Sequence, residues 1–513
     1  MTPPHRDPAP RRVASLLAAL LLAVAPAAAP AEGDGPPPAT AGAPAASPGD
    51  LRLDPPAFPA RSPPGPTPWR AVAEEGILLG VSLVGYAVSP PPANDAHPVP
   101  LLDKLRLAHG AWGFDADSLP TNYVGHPVAG LFFYQVARGN RLGVGASLGL
   151  TLAVSVAWEL AESHELASVH DVVSTSAGGL ALGEAFTQLA AWLGQREGVV
   201  AQAASALFQI PRAFHDWRDG APPAPAERWG LADVAAWTSA GWSWPRPAGS
   251  EAEARLGARS RLVRAAEVGE PGAGWRTLLD GNVTSLAAEL AIGRPGVVEA
   301  DVIALASLAG LYGRDLDAAG AGGDLLGTVS LGFDYLRRAE PVEGGWANDY
   351  LALVRIPGLE LVAGFRRGAF RAELGLEGAL TLGGVQPLPL LGRPSDLPGA
   401  PGVLRLNGYY HGLGALLAPR ATLALGPVDL AVSWRFDRLR AIERADVSPP
   451  PEGTHLTLED ERRDLKGSLT WRTPWAGVRL FASAERRDRW GRAGEVTATL
   501  QDSTALLGVA LGP

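Results

Sequence analysis

The sequence predicts an α+β fold, in which an N-terminal helical domain with a buried polar seam is followed by a C-terminal antiparallel transmembrane β-barrel of about 12 strands. Three observations support this prediction. The spacing of apolar residues changes from about 3.6 to about 2 near residue 230. An apolar segment near the N-terminus is typical of an export signal. Polar residues recur at helical spacing within otherwise apolar segments in the first half of the chain.

Composition excludes several classes of site and partner. The 513 residues contain no cysteine, which excludes disulfides, thiolate metal sites, cysteine nucleophiles and a lipid-modified cysteine. The net charge is −9, and no basic cluster carries interleaved aromatic residues. We therefore expect no nucleic acid partner.

Residues 1–31 have the pattern of a secretory signal peptide. Arg11 and Arg12 precede an apolar run at 13–25, and Ala29 and Ala31 provide the small residues of a cleavage site. The following residues, 32–68, are rich in proline, glycine and alanine and are predicted to be a disordered linker. The chain is therefore expected to be exported.

Residues 69–220 are predicted to form the helical domain. A first helix is expected at 69–88, where the apolar run is too short to span a bilayer. The segment 142–158 is uncharged, but its glycine, serine and threonine residues lower its hydrophobicity, so we predict a buried helix rather than a transmembrane one. A further long helix is expected at about 169–193.

The polar seam is predicted from residues that repeat on one side of these helices. In the segment around 142–162 they follow one another at spacings of four, four, four and three, which places them on one helix face. These residues are Ser147, Thr151, Ser155, Glu159 and Glu162. A polar stripe on an apolar helix requires polar partners, and the residues at 126–138 and 168–171 provide them.

Residues 221–513 are predicted to form the barrel, because segments of alternating hydrophobicity follow one another between turns rich in glycine, proline and aspartate. The predicted lipid-facing residues are Leu286, Ala288, Leu290 and Ile292; Val329, Leu331, Phe333 and Tyr335; Ala372, Leu374, Leu376 and Leu380; Leu430, Val432, Trp434 and Phe436; and Leu465, Leu469 and Trp471. Charged residues and glycine occupy the opposite face. An interfacial girdle is predicted from Trp434, Trp471, Trp475 and Trp490.

The central stretch resembles a bacterial family known as domain of unknown function 3943. The matching residues are Asn122, Tyr123, His126, Pro127, Gly130, Tyr134, Ala137, Arg138, Trp158, Glu159, Glu162, Ser168, Asp171, Thr175, Gly178, Gly179, Gly183 and Glu184. A looser similarity includes Pro211 and Arg212, where Ile210 replaces the usual asparagine. The resemblance implies an exported protein associated with the outer membrane, and it implies no established enzymatic activity.

His126, Glu159 and Asp171 are the candidate catalytic residues, since imidazole and carboxylate groups in one seam can bind a metal or transfer protons. Their spacing matches no standard metal signature, so we predict neither a metal nor a cofactor. A structural reading is open as well. It makes Ser168 and Asp171 a variant capping box and pairs Glu159 with Arg138.

Two further histidines and two glycines are interpreted structurally. His164 and His170 are expected to face solvent, because they flank a loop. Gly179 and Gly183 lie within a helix, which favours close helix packing over phosphate binding.

The predicted function is that of an outer-membrane protein of unestablished activity, structural or transport-related, whose helical domain plugs the barrel or docks on it. The helical domain is expected in the periplasm or the barrel lumen. Expected partners are outer-membrane lipid and the barrel-assembly machinery, with any small-molecule or lipid ligand unidentified. A membrane-embedded lipid-modifying enzyme that uses His126, Glu159 and Asp171 is one alternative, although the sequence does not favour an enzyme. A soluble periplasmic protein with a helical domain and a β-sandwich is another, because sandwich strands alternate too.

Overall fold

The computed structural model describes residues 65–88, 99–107, 110–115, 117–162, 166–221, 228–244, 250–294, 296–342, 345–392, 402–442, 456–475 and 477–512. The expected signal peptide and almost all of the expected linker lie outside these residues.

Nine α-helices are present in the described part of the chain. They are α1 Pro68–Val88, α2 Leu101–Leu105, α3 His126–Gly139, α4 Val144–Ala161, α5 Val169–Val173, α6 Gly179–Gly194, α7 Val199–Phe208, α8 Ile210–Asp219 and α9 Gly402–Asn407. A π-helical turn, Thr121–Gly125, leads directly into α3, and a second one, Ser174–Gly178, joins α5 to α6. Pro127 is the second residue of α3, which directly follows the first π-helical turn.

The strands fall into a small sheet and a large one. They are β1 Trp112–Gly113, β2 Ala167–Ser168, β3 Leu231–Ser243, β4 Glu251–Val263, β5 Gly272–Leu279, β6 Val283–Gly293, β7 Gly296–Leu316, β8 Gly322–Val342, β9 Gly345–Arg367, β10 Phe370–Val385, β11 Tyr410–Leu425, β12 Val428–Ala441, β13 Leu458–Arg472, β14 Val478–Ala493 and β15 Val496–Leu511. The parallel pair β1 and β2 belongs to the helical domain, and the other strands form the large sheet.

The large sheet closes into a barrel. Its strands pair in the order β7, β6, β4, β3, β15, β14, β13, β12, β11, β10, β9 and β8, and β8 then pairs with β7. Strand β5 lies outside this ring and pairs with the second half of β7. All pairings in the sheet are antiparallel, and the predicted barrel of 12 strands is confirmed.

Short turns connect neighbouring strands at one end of the barrel. The turn between β9 and β10 has Gly368 at a φ of 57°, and the turn between β11 and β12 has Gly426 at a φ of 56°. A side chain is strained at these angles, so glycine suits both positions.

The inner face of the barrel is identified by ion pairs between strands that are not neighbours. Arg435 on β12 donates to Asp334 on β8 at 2.7 Å. Arg487 on β14 donates to both carboxylate oxygens of Glu299 on β7, at 2.6 and 2.8 Å. Such side chains can meet only inside the ring. Because side chains alternate along a strand, the predicted apolar faces point outwards, as expected.

The outer face carries a broad band of exposed apolar side chains. On β12, Leu430 and Val432 are 46% and 44% exposed. Leucines on β10, β11 and β13 are exposed in the same way, including Leu374, Leu413 and Leu469. A soluble sandwich would bury its apolar faces in a core, so this band is typical of a barrel wall in contact with lipid.

The helical domain packs on this outer face over one side of the barrel. Leu182 and Leu189 of α6 share one apolar cluster with Leu262 on β4, Leu286 on β6 and Phe333 on β8. The helical domain is therefore docked on the outside of the barrel. The expectation of a plug in the lumen is wrong, since the lumenal face is charged whereas α6 requires an apolar surface.

Helix α4 turns its polar side inwards. Ser147, Thr151, Ser155 and Glu159 are buried, whereas Leu152 is 43% exposed. This pattern is the reverse of a helix that faces water. The prediction of a buried helix at this position is therefore wrong for the apolar side of α4, which is exposed. Helices α1 and α4 are the two described helices long and apolar enough to cross a membrane.

Candidate functional site

Six ionisable side chains meet where the helical domain contacts the barrel wall. They are Asp115, His126, Glu159, His170, Asp171 and His411, which we call the junction cluster. Five of the six are buried, and His126 is partly exposed. The sequence predicted three of these residues as a group, and the structure brings all three together.

The members are positioned by five different parts of the chain. His126 begins α3, Glu159 lies in the last turn of α4, and His170 and Asp171 lie in α5. The pairing of β1 with β2, where Gly113 is opposite Ser168, brings the segment that contains Asp115 beside α5. His411 is the second residue of β11, so the barrel provides this member of the cluster.

The imidazole of His170 lies at the centre of the cluster and is 0% exposed. Its Nδ1 is 2.8 Å from the hydroxyl of Ser168. Its Nε2 is 2.9 Å from Oδ1 of Asp171 and 3.6 Å from Oδ1 of Asp115. The Nε2 of His170 and the Oδ1 of Asp171 nevertheless have no aligned hydrogen-bond partner. The expectation that His170 faces solvent is wrong, and His164 lies outside the described residues.

His126 approaches the same carboxylate oxygen from another helix. Its Nε2 is 3.3 Å from Oδ1 of Asp171, and its Nδ1 is 3.3 Å from the hydroxyl of Thr175. Both imidazoles therefore place a hydroxyl at Nδ1 and direct Nε2 towards one oxygen. A hydroxyl at Nδ1 fixes the ring orientation and leaves Nε2 for a second ligand.

Glu159 contacts backbone rather than an arginine. One of its carboxylate oxygens accepts a hydrogen bond from the N–H of Ser168 at 2.6 Å. Arg138 instead pairs with Glu184, at 2.9 Å, and Glu184 also accepts from Tyr134. The predicted pair of Glu159 with Arg138 is wrong, because α6 brings Glu184 closer to the guanidinium.

On the barrel side, His411 has both ring nitrogens engaged. Its Nδ1 is 2.8 Å from the hydroxyl of Tyr123, and its Nε2 is 3.1 Å from the backbone oxygen of Asp115. The side chain of Asp115 accepts a hydrogen bond from Asn122 at 2.6 Å. Asn122 also donates to the hydroxyl of Tyr409, at 2.8 Å.

The pKa values of Asp115 and Asp171 are shifted in opposite directions. Burial raises the pKa of Asp115, and the neighbouring Asp171 raises it further. Burial would also raise the pKa of Asp171, but His126 and His170 hold the pKa of this carboxyl below its usual range. Burial lowers the pKa of His126, against the opposing effect of Asp171. Asp171 is therefore the ionised centre, and Asp115 retains a proton more readily.

The glycines of the family motif allow α3 and α6 to approach closely. A Cβ atom on Gly130 would lie 1.9 Å from the backbone oxygen of Thr175, and one on Gly183 would lie 2.4 Å from the ring of Tyr134. A Cβ atom on Gly178 would lie 2.8 Å from the side chain of Pro127, and one on Gly179 would lie 2.5 Å from the backbone of Gly130.

The remaining motif residues lie at the edges of the site. The indole of Trp158 meets the ring of Tyr86 edge to face, with centroids 6.0 Å apart. The backbone oxygen of Glu162 accepts a hydrogen bond from Lys104 at 2.6 Å. Ser168 makes no side-chain cap to its helix, so the predicted capping box is wrong: its hydroxyl contacts His170 instead.

Sequence reasoning missed Asp115 and His411 altogether. One signal pointed to His411, because it has the same strand parity as the exposed Leu413 and Leu417 on the outer face of β11. A polar residue at a lipid-facing position requires a partner, and the helical domain provides it.

Comparison with known proteins finds a family model that matches part of the chain. Residues 111–210 match the family model described as Domain of unknown function (DUF3943), which confirms the resemblance over that segment. No curated protein matches the chain.

Several solved structures are similar to the chain. The translocator domain of autotransporter NalP from Neisseria meningitidis has 14% identity and a TM-score of 0.25, over 60% of this chain and 96% of that one. The β domain of the Bordetella autotransporter BrkA has 15% identity and a TM-score of 0.24, over 55% and 98%. An anion-selective porin from Comamonas acidovorans has 9% identity and a TM-score of 0.22, over 55% and 99%. Scores this low carry no statement about activity.

Proposed function

We propose that this chain is an outer-membrane protein whose barrel is a closed support for the DUF3943 segment rather than a diffusion pore. The observation that carries the proposal is the set of arginine–carboxylate pairs that cross the lumen. Besides Arg435–Asp334 and Arg487–Glu299, these pairs are Arg462–Asp349 at 3.1 Å, Arg255–Glu485 at 3.3 Å and Arg338–Asp502.

These pairs obstruct the lumen because each joins strands that are not neighbours. Two of the arginines are deeply buried, Arg255 at 1% exposed and Arg462 at 6%. Removing one partner from a buried pair leaves an uncompensated charge and costs about 3–5 kcal/mol. Opening a channel would require several such pairs to separate together, so thermal fluctuations should not open it.

The proposal places the helical domain in lipid beside the barrel. Helix α4 buries its polar stripe, and α1 exposes apolar residues such as Ile77, Val81 and Val84, which are 65%, 67% and 64% exposed. Lipid acyl chains would cover these side chains. Export by the signal peptide at 1–31, a linker at 32–68, a helical domain at 69–220, a barrel domain at 221–513 and insertion by the barrel-assembly machinery complete the proposal.

Conductance across a planar lipid bilayer tests the closed lumen. The folded protein should give no steady conductance, whereas a double variant, Arg338→Ala with Arg487→Ala, should conduct more than the unmodified protein because two of the five crossings are removed. Arg438→Ala is the matched control, since Arg438 is exposed on the outer parity of β12. A steady conductance of the unmodified protein equal to that of the double variant would refute the closed lumen.

A lipid-modifying enzyme is the second candidate, favoured by one observation. The junction cluster lies where the helical domain meets the outer side of the barrel wall, and His126 is partly exposed. Lipid profiling of a deletion strain, complemented with Glu159→Gln or His126→Ala, tests it. An enzyme would lose a lipid conversion while the folded protein keeps its abundance. A structural cluster would lose abundance without any lipid change.

A further inference from the structure

We propose that the junction cluster binds one divalent transition-metal ion of the zinc class. The ligands would be His126, Glu159 and Asp171, with His170 as the fourth. Ligand atoms of the first three lie within 4.8 Å of one another. The Nε2 of His170 is 2.9 Å from the Oδ1 of Asp171.

The spacing of these atoms suits a tetrahedral ion. Zinc binds imidazole nitrogen and carboxylate oxygen at about 2.0–2.2 Å, so ligand atoms at neighbouring corners are about 3.3 Å apart. The separation between Nε2 of His126 and Oδ1 of Asp171 is 3.3 Å. The other ligand atoms of His126, Glu159 and Asp171 lie within 4.8 Å of one another, so binding would draw the side chains together by up to about 1.5 Å.

Two buried atoms in the cluster have no aligned hydrogen-bond partner, although they lie 2.9 Å from each other, and they are two of the proposed ligand atoms. They are Nε2 of His170 and Oδ1 of Asp171, on residues that are 0% and 2% exposed. A buried polar atom without a partner is costly, and a native structure normally pairs it. A cation bound by both atoms would satisfy them at once.

The surrounding groups already hold the imidazoles as a metal site requires. The hydroxyls of Ser168 and Thr175 lie at Nδ1 of His170 and His126. Each hydroxyl oxygen can accept a hydrogen bond from a protonated Nδ1. The lone pair of Nε2 is then left for the ion. The N–H of Ser168 occupies one oxygen of Glu159 and leaves the other for coordination.

The negative charge of the buried carboxylates also favours binding of a cation. Glu159 and Asp171 are both buried. The salt bridges of Asp171 are to His126 and His170, and the ammonium group of Lys104 donates to the backbone oxygen of Glu159 at 2.7 Å. Buried carboxylates in the lumen are paired with arginine instead, as Asp334 is with Arg355. Buried carboxylates without a cation are unfavourable, and a divalent ion would compensate them.

The second histidine group in the cluster is a weaker candidate, which makes it a useful comparison. His411 lies with Asp115 and His170 in a similar arrangement. Both of its ring nitrogens are already engaged, by Tyr123 and by the backbone of Asp115. It would have to give up one of these contacts to bind an ion, so we assign it no ligand role.

Metal binding is measured on the full folded protein in detergent, after chelation and dialysis. Titration with Zn²⁺ should give one equivalent bound, and Mg²⁺ should not compete, because imidazole ligands favour zinc. Glu159→Gln and His170→Gln should each weaken Zn²⁺ binding more than about 100-fold, since loss even of an outer partner costs 10–100-fold. His411→Gln is the matched control and should still bind one equivalent of Zn²⁺.

The heat-dependent gel mobility of the barrel reports folding of each variant. If a ligand variant does not fold, two measurements on the unmodified protein decide: a rise in unfolding temperature with Zn²⁺, and the visible absorption of bound Co²⁺. Less than half an equivalent of Zn²⁺ on the unmodified protein would overturn the site. Loss of binding in His411→Gln alone would overturn the ligand assignment. Neither result bears on the conductance of the lumen, which tests the closed barrel separately.

Discussion

Replacing Gly130 with alanine should force apart the two helices that carry the family motif, α3 and α6. The added Cβ would lie 1.9 Å from the backbone oxygen of Thr175, 2.7 Å from its carbonyl carbon and 3.1 Å from Cα of Gly179. Three backbone atoms therefore surround the new methyl group. None of them can rotate away as a flexible side chain would.

The magnitude follows from the displacement required. Ordinary contact begins at about 3.4 Å, so the helices would have to separate by about 1.5 Å at this crossing, and overpacking of this kind costs about 1–3 kcal/mol. We expect the upper part of that range. The junction cluster depends on the same contact, because His126 and Thr175 lie on the two separated segments.

Gly149→Ala is the matched control. Gly149 lies on the exposed side of α4, and a Cβ there would meet nothing within 4 Å. Alanine in a helix is favoured over glycine by roughly 0.5–1 kcal/mol, so this variant should be slightly more stable. Thermal unfolding followed by the helical circular dichroism signal compares the two variants. Equal unfolding temperatures would refute the claim that the motif glycines are required for close packing.

Three further outcomes are expected. Val432→Arg should impair barrel assembly by about 2–4 kcal/mol, whereas Ser433→Arg on the lumenal face should be tolerated; equal folding yields in lipid would contradict the assignment of faces. Burial and the neighbouring Glu184 raise the pKa of Tyr134 above its usual value. The folded state therefore keeps this phenol protonated, and its contribution to stability should fall as pH rises above about 10, by at most about 1.4 kcal/mol per pH unit. Tyr134→Phe should reduce the pH slope of stability by that amount in an unfolding series from about pH 9 to 11. Arg138→Ala should cost about 3–5 kcal/mol because Glu184, 0% exposed, loses its cation. Chemical unfolding measures this loss, and the double variant with Glu184→Leu should recover much of it.

The faces of the barrel strands could be predicted because their signal is local. Alternation along β12 assigns Val432 to the outside and Arg435 to the inside without any knowledge of neighbouring strands. The partner of Arg435 could not be predicted in the same way. Asp334 lies 101 residues away along the chain, and only closure of the ring brings it within hydrogen-bond distance.

The candidate site was predictable in part, for a similar reason. The stripe that ends at Glu159 has a period, and the polar start at Ser168 to Asp171 is continuous in sequence. The role of His170 depends instead on the direction of its ring, which the hydroxyl of Ser168 fixes. The sequence had no information on that direction.

The sequence by itself determined the long helices, the presence of the barrel and the outward face of the five strands assigned from alternation, because these follow from spacings of two to four residues. Only the tertiary structure decided that the helical domain lies outside the barrel. Charged residues occupy the lumen, so the outer wall offers the apolar surface that α6 needs. That docking brings Tyr123 to His411, 288 residues further along the chain. Contacts at such separations depend on how the sheet closes, and no local pattern encodes the closure.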